Sequence, residues 1–115
     1  MYEATWKSHP KVSGAKAMRK VFIEKARQHP SRDPNGPQST LLKLALALTR
    51  LEEIAERQAG IVDVRVFAGL DEKEISQIFE VSERTVKREY AIARARLQQA
   101  MNGDDDPDAS VTLNT

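Results

Sequence analysis

The sequence predicts an all-α protein, on three observations. Apolar residues recur at three- and four-residue steps along most of the chain, no stretch alternates apolar with polar residues, and residues that favour helix starts precede the periodic stretches. With 115 residues, 40% of them hydrophobic, the chain has the size of one ordinary domain. We therefore expect a small helical domain, without room for a catalytic domain beside a regulatory one.

Charge is distributed unevenly along the chain, although the formal net charge is only +1. Any attraction to nucleic acid must therefore come from local clusters of charge. The N-terminal part is basic and is opposed only by Glu24; its cations are Lys7, Lys11, Lys16, Arg19, Lys20, Lys25 and Arg27. Residues 102–115 form an acidic tail, which we expect to be disordered and which carries Asp104, Asp105, Asp106 and Asp108.

Several classes of protein are disfavoured by what the sequence lacks. Without cysteine there is no disulfide framework, thiolate metal site or cysteine nucleophile. No stretch resembles a signal peptide or is long enough to span a membrane, so we expect a cytoplasmic protein. We expect His9 and His29 to be surface residues, no metal and no cofactor, and Glu52, Glu53 and Glu56 to form a solvated, salt-bridged face beside Arg50 and Arg57.

The first 29 residues are expected to carry one amphipathic helix over 13–28, capped by Ser13, with a basic outer face. Its inward positions are Ala15, Met18, Phe22 and Ala26. Trp6 and Phe22 are expected to pack in a core. A single helix cannot bury its apolar side alone, so this piece docks on the rest, dimerises, or is the remnant of something larger. Residues 30–39 hold three prolines and a glycine and are interpreted as a linker.

Residues 40–101 are expected to form one domain that opens with two apolar helices. Thr40 is a possible cap for the first, whose apolar stripe comprises Leu41, Leu44, Leu48, Leu51 and Ile54. The second is predicted over 57–68, with Ile61, Val62, Val64 and Phe67 inward. The junction near Glu56 has no glycine or proline, so the alternative of one bent helix stays open. Gly69 tolerates a positive φ and should end this stretch.

A helix-turn-helix motif is predicted directly after Gly69. The run Asp71-Glu-Lys-Glu74 has the form of a capping box and begins a short helix that carries Ile75, Ile78 and Phe79. A turn over 80–82 follows, and Ser82 is suited to cap a longer helix whose apolar positions are Val86, Tyr90, Ala93 and Leu97. In such a motif the second helix enters the major groove of DNA.

Charged and hydroxyl side chains crowd the first turns of the predicted second helix. Arginine and lysine can bond guanine at two acceptors, glutamate can accept from cytosine, and threonine can bond a base or contact the thymine methyl group. We therefore predict that DNA is contacted by Glu83, Arg84, Thr85, Lys87 and Arg88, with Arg94 as a weaker phosphate contact.

These residues resemble a known family. Residues 57–70 and 75–97, the latter including Thr85-Val-Lys-Arg-Glu-Tyr-Ala-Ile-Ala-Arg-Ala-Arg-Leu97, resemble region 4 of extracytoplasmic-function sigma factors, and the likeness extends over about 41–101. It implies that region 4 here reads the −35 promoter element and contacts the flap of the RNA polymerase β subunit. An anti-sigma factor is a possible further partner, and a monomer is expected.

The N-terminal helix is similar to the last part of region 2 in the same family, which lies next to the −10 element. The similarity rests on Trp6-Lys-Ser-His9 and on residues 17–27. Two features depart from the family pattern. Most of region 2 is missing ahead of these residues, so we expect a truncated or diverged sigma-like protein that does not initiate transcription alone. Ala55 and Glu56 also replace the Asp-Pro pair that often begins the following helix.

Two other interpretations stay open. One is a dimeric helix-turn-helix regulator of another family, which would bind a palindrome. The other is a protein-interaction module that has lost the ability to bind DNA. No nucleophile motif or glycine-rich phosphate loop is present, so we expect no enzymatic activity.

Overall fold

A computed structural model describes residues 5–30, 32–33 and 35–103, and all regular structure in these ranges is helical. The predicted fold class is confirmed. A short 3-10 helix, Thr5–Ser8, is followed by α1 (Pro10–Gln28), α2 (Pro37–Ile54), α3 (Glu56–Val66), α4 (Glu72–Phe79) and α5 (Glu83–Gly103). Residues 102 and 103, expected in the disordered acidic tail, are instead helical as the end of α5, and residues 104–115 lie outside the described residues. No helix within the described ranges is both long and apolar enough to cross a membrane.

Helix α1 begins three residues earlier than expected, and Ser13 does not cap it. His9 is the cap, and its Nδ1 accepts a hydrogen bond of 3.1 Å from the backbone amide of Lys11. Pro10 follows at the first helical position, where its fixed φ suits the helix and its missing N–H leaves no donor unsatisfied.

The buried face of α1 also differs from the expected one. Met18, expected to face inward, is 51% exposed, whereas Arg19, expected on the basic outer face, is fully buried. The reason is that α1 packs across both α2 and α3, and the carboxylates of Glu52 and Asp63 receive the guanidinium. Charge pairing therefore overrides the apolar pattern here.

Helix α2 starts at Pro37, so residues 37–39 are helical and do not belong to a linker. Gly36 is the cap residue, with extended backbone, and Thr40 instead donates its hydroxyl to the Gly36 carbonyl over 3.1 Å. Ile54, expected in the apolar stripe, is 78% exposed. It is the last residue of α2, and its side chain points to solvent although Leu51 before it and Ala55 after it pack in the apolar cluster of α2, α3 and α5.

The two apolar helices are separate, which resolves the alternative of one bent helix. Ala55 leaves the helical region with φ −150° and ψ 74°, and it serves at once as the C-cap of α2 and the N-cap of α3. The break therefore needs neither glycine nor proline. Helix α3 covers Glu56–Val66 and is slightly shorter than the predicted 57–68.

Two apolar clusters hold the helices together. The first joins Trp6 and α1 to α3, α4 and Val86 at the start of α5. The second joins α2 and α3 to the later part of α5, through residues that include Leu48, Val62 and Leu97. Phe67 and Tyr90 pack against both clusters. The N-terminal piece thus docks on the rest of the chain, one of the three arrangements expected for it.

Candidate nucleic-acid interface

Helix α4 is fixed at its start by the predicted capping box. The Asp71 carboxylate accepts a 2.8 Å hydrogen bond from the Glu74 amide, and the Glu74 carboxylate accepts one of 3.2 Å from the Asp71 amide. Gly69, two residues upstream of Asp71, has φ +69°, the left-handed conformation that glycine adopts without steric cost. The capping box therefore sets where α4 begins, as the sequence predicted, whereas Gly69, predicted to end the preceding helix, lies two residues beyond the C-cap of α3, Phe67.

The turn between α4 and α5 contains a residue in the left-handed region. Glu80 has φ 56° and ψ 45° and ends α4, and the following amide, that of Val81, donates to the Ser76 carbonyl over 3.1 Å. Ser82 Oγ then accepts a 3.0 Å bond from the Thr85 amide, as expected of the cap of α5. Helices α4 and α5 are therefore distinct, and the helix-turn-helix is present.

Helix α5 has a buried side and an exposed side. Val86, Ala93 and Leu97 are buried against the rest of the protein, whereas Arg84 and Arg88 are exposed. In the part of the chain that the structure describes, neither arginine forms a salt bridge. Two guanidinium groups, one helical turn apart, therefore stand free on the same side of the helix.

The other predicted contact residues differ in exposure and in the contacts that their side chains make. Glu83 is exposed. Thr85 is half-buried, and its hydroxyl accepts a 2.9 Å hydrogen bond from Ser82 Oγ. Lys87 Nζ lies 3.8 Å from a carboxylate oxygen of Glu72 on α4. Arg94 is exposed, and its guanidinium lies 6.0 Å from the centre of the Tyr90 ring. All six predicted residues lie on α5, and Arg94 is farthest along the helix from its start.

The Tyr90 ring brings Arg94 together with a second cation, Arg65, which the sequence did not predict. Arg65 of α3 lies on the same ring as Arg94, also at 6.0 Å, and donates to the Leu70 carbonyl over 3.2 Å. Both distances suit a cation–π contact. Arg65 therefore adds positive charge beside α5. The periodicity placed Tyr90 inward, but nothing in the spacing indicated that a residue of the preceding helix α3 would reach it.

A second group of charges was also missed, at the junction of α1, α2 and α3. Arg19 donates to Glu52 over 2.7 Å and to Thr49 over 3.2 Å, and its Nε lies 3.2 Å from Asp63 Oδ1. Lys16 pairs with the same Glu52. Of the three glutamates expected on a salt-bridged face, Glu52 thus pairs with two cations of α1, and Glu56 pairs with Lys7 over 2.9 Å.

The two carboxylates that receive Arg19 respond in opposite ways to their surroundings. Burial raises the pKa of Asp63 to about 6, against the attraction of Arg19, and the negative charge of Glu52 raises it further. Burial would also raise the pKa of Glu52, but hydrogen bonds from Lys16 and Arg19 outweigh it and hold that pKa below its ordinary value. The cluster therefore joins α1 to α2 and to α3.

The chemistry available on α5 is that of binding. Its exposed cations suit phosphate oxygens and base edges, and an acceptor is provided by Glu83. Within the described ranges, no group of three or more histidine and carboxylate side chains could hold a metal ion. The arrangement is therefore an exposed cationic surface at the start of α5 with one carboxylate acceptor beside it.

Comparison with known proteins gives one match. The family model described as "ECF sigma factor" matches residues 32–103, which include α2 to α5. No curated protein and no solved structure matches the chain significantly. The matched range contains the whole helix-turn-helix and leaves out the 3-10 helix and α1.

Proposed function

The chain belongs to the extracytoplasmic-function (ECF) sigma factor family, and we propose that it reads the −35 promoter element through the start of α5. The family consists of non-enzymatic transcription initiation factors, so a role in transcription initiation follows from membership. The proposal adds the surface and the side chains through which this chain meets DNA.

One observation carries the proposal, the exposure of Arg84 and Arg88 without a salt-bridge partner in the described part of the chain. On a solvated face that serves solubility alone, oppositely charged residues commonly pair along the helix. Here no position of α5 that lies three or four residues from Arg84 or Arg88 carries a carboxylate. The two arginines are therefore left available to phosphates and bases.

In the proposed mechanism, contacts to phosphates provide affinity and contacts to bases provide specificity. Arg84, Lys87, Arg88 and Arg94 displace counterions from phosphates, which gives affinity that falls as salt rises. A bidentate contact from Arg84 or Arg88 to guanine adds discrimination of about 1–3 kcal/mol. Glu83 accepts from cytosine, and Thr85 contacts a base or a thymine methyl group.

Further partners follow from the same proposal. The four helices α2 to α5 act as region 4 and contact the β flap of RNA polymerase, and an anti-sigma factor is a further possible partner. Residues 1–29 correspond to the end of region 2, although α1 docks on α2 and α3 here. The protein acts as a monomer on one asymmetric site, in the cytoplasm, with neither catalysis nor a cofactor.

The test is selection of duplexes from a randomised pool of about 20 base pairs by the full chain, followed by fluorescence anisotropy on the enriched sequence. We expect a single asymmetric motif. Arg84→Ala with Arg88→Ala should lower affinity by about tenfold or more. The slope of log affinity against log salt should also become shallower, by about one for each phosphate that the variant no longer neutralises.

A matched control removes the same charge elsewhere. Lys25→Ala with Lys43→Ala takes two positive charges from exposed positions on α1 and α2 and should change affinity little. Equal decreases in affinity for the two double variants would show that net charge alone drives binding. A palindromic motif would favour the dimeric regulator, and no enrichment at all would favour the protein-interaction module.

A further inference from the structure

The N-terminal segment, defined here as residues 5–11, lies against the helix-turn-helix although it is far from it in sequence. It also lies outside the residues that the family model matches, 32–103. Its 3-10 helix contacts both α1 and α4. The segment is therefore positioned to act on the orientation of α4, the helix that supports α5.

The central contact of the segment is between two aromatic rings. Trp6 is 9% exposed and stacks on Phe79, the last residue of α4, with ring centres 5.0 Å apart and planes inclined by 28°. Gly60 of α3 lies beneath both rings, and a Cβ atom there would come within 3.2 Å of Trp6 and 3.3 Å of Phe79. The indole thus fills a close-packed site between α3 and the end of α4.

Polar contacts hold the two ends of α4 to the same segment. Thr5 Oγ1 donates to a carboxylate oxygen of Glu80 over 2.9 Å, and Lys11 Nζ lies 3.9 Å from one of Glu74. Glu80 is the left-handed residue of the helix-turn-helix turn. A non-glycine residue persists in that conformation only where its surroundings hold it. The segment therefore contacts the turn itself as well as the helix.

We propose that the N-terminal segment is a brace for the DNA-reading unit, with Trp6 as a positioning residue that sets the angle of α4 and, through α4, that of α5. The inference rests on the proposed function and extends it. The functional unit is then 5–103, and residues before the family match contribute to specificity without touching DNA.

A brace differs from an ordinary core contact in what its removal changes. Removal of an ordinary contact lowers the unfolding temperature, but below that temperature the reading surface keeps its geometry. Removal of the brace lets α4 and α5 move relative to each other in the folded protein. Base contacts require fixed geometry whereas phosphate contacts tolerate movement, so specificity falls more than non-specific affinity.

The experiment compares Trp6→Ala with Trp6→Phe and Met18→Ala in the full chain. Met18 is on α1 and 51% exposed, so it controls for truncation of a large apolar side chain. Affinity is measured for the selected duplex and for a scrambled one, at a temperature where each variant is folded by circular dichroism. Trp6→Ala should lower the ratio of the two affinities about tenfold, the discrimination that one bidentate base contact provides. Trp6→Phe should restore most of it.

A second variant and a second measurement cover the other outcomes. If Trp6→Ala does not fold, Thr5→Val, which removes only the donor to Glu80, should still lower the ratio by a measurable amount. In Trp6→Ala and in Thr5→Val, the rate of amide hydrogen exchange relative to the unaltered chain should increase more in α4 than in α2. This measurement does not depend on DNA. The proposal of a brace would be overturned by an unchanged ratio of the two affinities, or by equal increases in exchange rate in α4 and α2. Absence of DNA binding by the unaltered chain would overturn the proposed function alone.

Discussion

Arg19 and Asp63 form a buried ion pair between α1 and α3, with Nε 3.2 Å from Oδ1. The arginine is 0% exposed and the aspartate 2%. Neither atom has a hydrogen-bond partner in the described part of the chain, so the pair is held by electrostatic attraction without a directed bond. Glu52 supplies the directed contact through the other end of the guanidinium, at 2.7 Å.

Removal of the guanidinium should strongly destabilise the protein. Arg19→Met leaves Asp63 buried without its cation, and removing one partner of a buried pair costs about 3–5 kcal/mol. Urea unfolding followed by circular dichroism measures this change. Adding Asp63→Leu to Arg19→Met should recover part of the stability, since no uncompensated charge then remains at that position. A double variant less stable than Arg19→Met would contradict this account.

The stability of the protein should depend on pH through Asp63. Its pKa is raised in the folded state from 3.8 to about 6, so the folded state binds the proton more tightly than the unfolded state. This contribution to the free energy of unfolding is complete below about pH 4 and is lost as pH rises to about 6. The Glu52 pKa is lowered, so its contribution is lost only as pH falls below its ordinary value of 4.5.

Asp63→Asn tests the pH dependence, because asparagine does not titrate. Free energies of unfolding measured at closely spaced values between about pH 4 and about pH 6 should fall less steeply for this variant than for the unaltered chain. Glu24→Gln, an exposed change on α1, should leave the slope unaltered. Parallel profiles for the chain and Asp63→Asn would show that Asp63 does not titrate in this range.

Two glycines within helices should respond oppositely to a methyl group. At Gly60 the added Cβ would meet Trp6 and Phe79 at 3.2 and 3.3 Å, whereas at Gly14 it would meet nothing within 4 Å. Gly60→Ala should therefore destabilise the protein by about 0.5–2 kcal/mol, because overpacking that costs about 1–3 kcal/mol exceeds the gain from the helix preference of alanine. Gly14→Ala should stabilise it by about 0.5–1 kcal/mol, because alanine favours the helix. Thermal unfolding of both variants checks the opposite signs.

Glu72 should weaken DNA binding by holding Lys87. The two side chains are 3.8 Å apart and largely exposed, so their separation has little effect on stability. Glu72→Gln should raise affinity for the selected duplex about two- to fivefold at low salt, an amount typical of an exposed pair. Glu24→Gln changes the net charge equally and should raise affinity less. Equal increases would assign the effect to net charge.

Local signals in the sequence predicted the helix-turn-helix, α4 and α5, well. The capping box at Asp71, the positive φ of Gly69 and the Ser82 cap depend on residues within a few positions, and all three are present. The buried positions of α5 at Val86, Ala93 and Leu97 follow from its period alone. The DNA contacts of the exposed residues stay predictions.

Long-range contacts could not be predicted in this way. The charge of Arg19 favours solvent and indicates an outer position, and only the approach of Glu52 and Asp63 from two other helices makes its burial possible. The helix break at Ala55 contains no helix-breaking residue. The predicted linker is too long because proline disrupts the interior of a helix, whereas Pro37 stands at the start of one.

Helix α5 runs from the turn of the helix-turn-helix, next to Arg84, to the second apolar cluster. Its 21 residues form a rod about 30 Å long, with Val86 in one apolar cluster and Leu97 in the other. A rod held at one point can pivot, whereas a rod held at two points cannot. The direction in which Arg84 projects is therefore fixed by the two clusters together, and neither cluster alone would fix it.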